Sequence, residues 1–471
     1  MEQYLLERNI LDVPSGCEPS IEKGFGLRPA ALSDRQALVE FNSRVHHSRE
    51  DAPPDEGIGF WTDDLISGAL PGSAPGDFLL VERNGPDQAV SCIAASLCLI
   101  SQRWTYADAG ASVDFGVGRI ELVGSDPAYR GRGLVRALFG AVHQLSRGKG
   151  EMLQAISGIP YFYRQFGYER ALEMPAGRGC HPARVLSLGE PGVYRVRPAE
   201  PADLAFIRES AERMARRYLV SCRRGPELWR YELDGRNRAS FIASRLAVIE
   251  TEDGVRAGFM AHSAAVNPPR NTSISVELFE MESGHSWTQA AQAALHYLRK
   301  VGEASTRGGK ARFDGIHFWL GETHPLFQVA PSMLPEVLEG GCWYIRVEEL
   351  PAMLAHLAPV LEARLAGSIL AGYSGDLLLS FYRSGVRMAF RDGRLSAAVP
   401  WQPQPSRRDY TPDAHGHAGF PDLVFLKLLF GYRSLSELLY AFPDIKVHGD
   451  EPRALLEILF PKRPSLVWPL A

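Results

Sequence analysis

Short apolar runs that alternate with turn residues dominate the first 190 positions, and they predict a sheet with few, separated helices. "DFLLVERNG" (Asp77–Gly85) and "AVSCIAASLCLISQRW" (Ala89–Trp104) read as adjacent strands, and "GRIELVGSDP" (Gly118–Pro127) as a third that ends near Ser125. Pro127 lacks an N–H, so the chain leaves the sheet there. A basic, glycine-containing loop, Arg130-Gly131-Arg132-Gly133, then opens a helix from about Leu134 to Ser146. Beyond residue 350 the texture changes. "DLLLSFYRSGVRMAFRDGRLSAAV" (Asp376–Val399) alternates apolar and polar residues around two turn signals and predicts a small antiparallel meander, followed by an apolar helix within "PDLVFLKLLFGY".

The chain also echoes itself. "LRPAALSDRQALVEF" (Leu27–Phe41) and "VRPAEPADLAFIRES" (Val196–Ser210) align without gaps, each with an Arg-Pro strand end and an aspartate, Asp34 or Asp203, placed to cap a helix. With 471 residues, too many for one ordinary core, the echo predicts two related α/β domains in tandem and a third, smaller one. The Gly- and Pro-rich stretch Glu173–Gly192 reads as the connection. The expected divisions are residues 20–188, 189–349 and 350–471.

A net charge of −4 gives no support to general nucleic-acid binding. The six cysteines show no CxxC pair and no ligand spacing, so free thiols are expected and no metal site. No apolar run approaches the roughly 18 residues of a membrane span. The acidic, interrupted N-terminus does not read as a signal peptide, so a cytoplasmic location is expected.

The candidate chemistry lies at the strand-to-helix junction. The first-turn N–H groups of the helix after Gly133 have no intrahelical partners and sit at the positive end of the helix dipole. Glycines let a ligand approach the backbone, arginines add charge-assisted bonds, and no acid stands in the first turn to repel an anion. About thirty residues on, the chain reads "SGIPYFYRQFGYERA" (Ser157–Ala171).

Together these stretches resemble the GNAT superfamily of N-acetyltransferases, whose signature Q/R-x-x-G-x-G/A appears here as Arg130-Gly131-Arg132-Gly133-Leu134-Val135, with Val135 where Gly or Ala is usual. The resemblance implies acetyl-CoA as co-substrate. Its pyrophosphate would lie on Arg130–Val135, its pantetheine arm along Val123, Gly124 and Ser125, with Gly158 and Ile159 opposite. It also implies Tyr163 as the acid that protonates the departing thiolate, a role suited to a phenol that keeps its proton at neutral pH. Tyr161 and Tyr168 are less favoured. The base is left between Glu121, on the same strand, and the terminal carboxylate of Ala471; His46 and His47 are weaker candidates. In the second domain Glu280 and Glu282 stand where a phosphate loop would need arginines, so that domain is expected to bind no coenzyme.

The order of a functional GNAT domain, a degenerate one and a small C-terminal α/β domain resembles the enhanced-intracellular-survival acetyltransferases, whose third domain is sterol-carrier-like. That resemblance implies a primary amine acceptor, small or polycationic, and a homo-oligomer, often a hexamer. The acids of "HHSREDAPPDEGIGFWTDDL" (His46–Leu65) are candidates for the acceptor mouth. The alternative is a lipid or long-chain acyl binding protein with a vestigial acyltransferase domain.

Overall fold

A computed structural model of the chain describes residues 21–47, 52–83, 92–266, 271–306, 312–404 and 415–468. It is mixed α/β, with three sheets among these residues. The first sheet runs in the order Phe25–Pro29, Phe78–Arg83, Cys92–Asp108, Ala111–Ser125, Leu153–Ile156, Cys342–Val347, Glu169–Glu173, and Val220–Arg223 also pairs with Cys92–Asp108. The second runs Glu336–Leu338, Gly177–Cys180, Gly315–Phe318, Ser273–Met281, Arg256–Ser263, Ser244–Thr251, Tyr194–Pro198.

The two sheets exchange strands. Cys342–Val347, distant in sequence, is inserted between Leu153–Ile156 and Glu169–Glu173 of the first sheet. Gly177–Cys180, inside the stretch read as a connection, instead pairs with Gly315–Phe318 and Glu336–Leu338 of the second. Glycines at 177 and 179 make that pairing possible: a β-carbon at Gly177 would stand 2.4 Å from the Phe318 carbonyl oxygen.

The sequence echo marks a structural repeat. Arg28 binds Glu82, its neighbour's carbonyl and Asp34; Arg197 binds Glu250, its neighbour's carbonyl and Asp203 in the same way. The aspartates do not take the expected capping role for the long helices that follow. Each turns back to accept the N–H of the residue three before it, Ala31 at 2.7 Å and Glu200 at 2.9 Å, because the strand-end arginine fixes its carboxylate there.

The third sheet carries the expected meander, Gly375–Ser380, Gly385–Arg391 and Arg394–Trp401, extended by two short strands. Its core is continuous with one face of the first sheet, where Trp104, Phe115, Val117 and Trp343 pack with Leu361, Leu365, Phe425 and Leu429. The helices Arg35–Val45 and Glu56–Ile66 pack beside the same sheet, where Leu38, Trp61 and Leu65 join Cys98 and Ile100 in one cluster. The stretch between these covered regions carries Arg119 and Glu121. The chain end closes the arrangement: Leu219 N–H donates to Pro464 O at 2.8 Å and Leu466 N–H to Val220 O at 2.9 Å, laying the tail along Val220–Arg223.

Candidate active site

The site begins with a failure of strand pairing. Ala111–Ser125 runs parallel to Leu153–Ile156, yet the two register only over Val117–Arg119. Beyond Arg119 they part, and the edge of Glu121–Ser125 on that side is left open. On its other side the same strand is bulged: Cys98 faces Glu121 and Ser96 faces Gly124, so three steps oppose two. Leu122 takes up the extra residue with φ of +53°, a conformation held by burying its side chain. Gly124 cannot carry a side chain, since a β-carbon would stand 2.7 Å from Val45 and 3.0 Å from His46 Nε2.

The loop that follows has the geometry of an anion cradle. Gly131 and Gly133 are left-handed, with φ of +77° and +74°, and no heavy atom lies within 4 Å of where a β-carbon would be on either. The helix Leu134–Gly148 starts at Gly133 with no acid in its first turn, and its first backbone bond is Ala137 N–H to Gly133 O at 3.0 Å. The N–H groups of Leu134, Val135 and Arg136 therefore point out of the helix end. The helix is held by its apolar face, Leu134, Ala137, Leu138, Phe139 and Val142. Arg130 and Arg132 are exposed, and Arg132 ion-pairs with Glu22 at 2.7 Å, a partner that the spacing of the loop did not reveal.

Across the splay lies Tyr163, 5% exposed, in the short turn Phe162–Phe166. Its ring packs edge-on against Tyr344 and near Phe139, and its hydroxyl lies beside the backbone of Gly158 and Ile159. Burial, with the nearby charge of Glu121, pushes its pKa up to about 12. Ile159 and Tyr161 are largely exposed, with Tyr161 N–H donating to the Tyr344 hydroxyl at 2.6 Å. Tyr168 is buried and bonded to His143 at 2.8 Å, a packing role.

Glu121 accepts from Arg119 Nε at 2.9 Å and Nη2 at 2.7 Å through one carboxylate oxygen. Arg119 is fully buried and stacked on Trp343 at 4.9 Å. Burial raises the Glu121 pKa against the opposing pull of Arg119. Ala471 lies outside the described residues. The last described one, Trp468, donates its indole N–H to Glu277 at 2.6 Å, stacks on Trp229 and lies under the Arg224 guanidinium at 4.8 Å. The tail is thus anchored between the first two sheets. His46 sits beside Gly124; of the acid-rich stretch, Asp55 caps its helix, Asp63 pairs with Arg35, and Asp64 accepts from Tyr231 and Asn237.

Among the described residues the second sheet has no such cradle. Between Met281 and Trp287 the turn is short, and the Ser286 hydroxyl caps the following helix itself at Gln289 N–H. Glu280 and Glu282 pair with Arg217 and Arg213. Among the described residues no group of side chains could hold a metal ion, and no helix is long and apolar enough to cross a membrane.

Residues 28–171 match the family model of the acetyltransferase (GNAT) domain. No curated protein matches the chain. Among solved structures, a GCN5-related N-acetyltransferase from Kribbella flavida is similar at 16% identity and a TM-score of 0.57, over 94% of this chain and 97% of that one. A GCN5-related N-acetyltransferase from Anabaena variabilis gives 14% and 0.58 over 94% and 98%, and Eis1 from Mycobacterium abscessus gives 15% and 0.55 over 93% and 98%. At these identities the likeness is one of fold, and it extends over nearly the whole chain.

Proposed function

We propose that this chain, whose residues 28–171 form a GNAT acetyltransferase domain, transfers an acetyl group from acetyl-CoA to a primary amine by direct attack. One observation carries the reading: the left-handed glycine loop and the phenol of Tyr163 flank the same open strand edge. Arg130–Val135 would hold the pyrophosphate, with Gly131 and Gly133 leaving the cradle clear of side chains. Val123, Gly124 and Ser125 would pair with the pantetheine amides as an added strand, and Gly158 and Ile159 form the opposite lip. When bound, the thioester supplies an acyl group already activated for attack.

The chain's own residues then handle protons. Tyr163, with a pKa of about 12, keeps its proton through neutral pH and gives it to the departing sulfur. The incoming ammonium must lose one, and the favoured acceptor is the terminal carboxylate of Ala471, carried by a tail that Trp468 anchors between the first two sheets. Glu121 is the other candidate. Its bond to buried Arg119 favours a structural part, since a base taking a proton there would have to weaken a buried ion pair. Residues 20–188, their sheet completed by Cys342–Val347 and giving up Gly177–Cys180 to the second, are the catalytic unit; the rest of 189–349 walls the acceptor side without binding coenzyme, and 350–471, sterol-carrier-like, brace the sheet and deliver the tail.

The test is release of free thiol from acetyl-CoA and from palmitoyl-CoA against an amine panel. Amine-dependent release from acetyl-CoA supports the reading. Binding of palmitoyl-CoA alone, with no transfer, overturns it in favour of a lipid or long-chain acyl binder.

A further inference from the structure

The first sheet has a gap in one edge. Phe78–Arg83 and Val220–Arg223 both pair with the same side of Cys92–Asp108, the first reaching Cys98 and the second starting at Arg103. Over Leu99–Gln102 no strand covers that edge among the described residues. A cleft of about 400 Å³ opens there, between Trp61 and Leu65 on one side and Leu228 and Tyr231 on the other. Its floor residue Ile100 is the cross-strand partner of Arg119, so Glu121 lies one side-chain step, about 7 Å, further along the same face.

The charges of this cleft are unlike those expected for a polycation. Four arginines line it, Arg103, Arg223, Arg224 and Arg236, against two glutamates. One of the glutamates, Glu232, is fully engaged, holding Arg224 at 2.8 Å and Arg236 at 2.6 Å in a buried triad that keeps one positive charge over. Arg224 is 6% exposed at its side chain, and its Nε–H has no hydrogen-bond partner among the described residues. At the rim Arg103 and Arg223 stand directly opposite each other on antiparallel strands, on the face of the sheet opposite Ile100 and meeting the cleft only where the edge is open, an arrangement that repels when empty. Arg223 leans on Asp114 at 2.9 Å, whereas Arg103 has no ion pair among the described residues.

Accepting the acyl-transfer reading, we infer that the amine acceptor carries an anionic group, a carboxylate or phosphate, which Arg103, Arg223 and Arg224 hold while the amine reaches toward the splay. An anion between the two rim arginines removes their repulsion, and the apolar walls take the linking carbon chain. The acids nearest the path are occupied: Glu121 by Arg119, Glu232 by two arginines and Asp64 by Tyr231 and Asn237. Of the lining carboxylates that leaves Glu227, exposed and without an ion pair among the described residues, against four arginines.

Matched acceptors test this: 6-aminohexanoate, its primary amide, phosphoethanolamine and spermidine, with acetyl-CoA, on the full chain. At least one anionic acceptor should show a KM tenfold or more below that of the amide. In the exposed double variant Arg103→Gln/Arg223→Gln the ratio of those two KM values should collapse to about one. Which anion wins separates carboxylate from phosphate. Preference for spermidine or the amide, or an unchanged ratio in the variant, overturns the inference. Calorimetry with 6-acetamidohexanoate, which has no free amine, separates the two levels of the argument. If no amine is acetylated yet this carboxylate binds wild type tenfold tighter than the variant, acyl transfer fails and the anion site stands. If it binds both alike, the anion site falls.

Discussion

Gly158 and Tyr163 are fitted to each other: a β-carbon on Gly158 would stand 3.2 Å from the tyrosine oxygen, and Gly158 itself has φ of +124°. A side chain there would be strained and would also press on the hydroxyl. Tyr163→Phe is expected to leave coenzyme affinity nearly unchanged and to lower kcat roughly 10²-fold, the scale of losing a general acid. Gly158→Ala should lower kcat in the same direction by a smaller factor. Steady-state kinetics beside calorimetric coenzyme binding check both; an unaltered kcat in Tyr163→Phe would leave the phenol a packing group.

At the loop, Gly133 combines a φ of +74° with clear space in front of it. Gly133→Glu would strain the turn and set a negative charge before the helix end. Coenzyme binding should weaken by about 2 kcal/mol, roughly thirtyfold, while the fold melts near the wild-type temperature. Wild type should bind one coenzyme per chain. A second site of similar affinity would mean that the turn before Trp287 is not closed by Ser286 after all.

What could be read from the sequence and what could not divide along physical lines. Ser125, Gly133 and the helix after it were legible because strand ends and helix starts are local: a proline, two left-handed glycines and an apolar helical face settle them. The Arg28/Asp34 and Arg197/Asp203 pairs were legible as a repeat, but not the direction of the aspartates, since Glu82 and Glu250 lie some fifty residues away. The strand exchange was hidden for the same reason. Gly177–Cys180 is rich in glycine because a neighbouring backbone comes close to it, and without that neighbour the composition looks like a linker. The arginine-lined cleft depends on Val220–Arg223 pairing with the first sheet, which no local pattern shows; of its charges only Glu232 and Arg236, four residues apart, are paired by local spacing.

Three histidines make the fold acid-sensitive. Burial lowers the pKa of His262 to about 4 and of His143 and His324 to about 3, against about 6.5 in an unfolded chain. The unfolded state therefore takes up protons first as pH falls, and stability present above pH 6.5 is lost on going down toward pH 3. At pH 5 each histidine should cost about 2 kcal/mol relative to neutral pH. Urea midpoints at pH 7.5, 6 and 5 should fall in that order. His262→Leu, which removes an imidazole whose Nε2 has no hydrogen-bond partner among the described residues, should flatten the fall by about a third.

The two candidate bases make opposite claims about the far end of the chain. Trp468 is stacked on Trp229 and bonded to Glu277, so the three residues after it start from a fixed point between the first two sheets. If the Ala471 carboxylate takes the proton, deleting residues 469–471 or adding a C-terminal tag should reduce turnover by 10²-fold or more. Trp468 would stay anchored, so cooperative melting and coenzyme affinity should hold. Glu121→Gln would then be mild in kcat, although the loss of charge beside buried Arg119 should lower the melting temperature. If Glu121 is the base, Glu121→Gln should cost roughly 10²–10⁴ in kcat and the tag should cost little. The Arg119 bond to Glu121 favours the first outcome: burial raises the Glu121 pKa, but protonating that carboxylate would break its ion pair with a fully buried guanidinium. Full activity in the tagged chain would assign the proton to Glu121 instead.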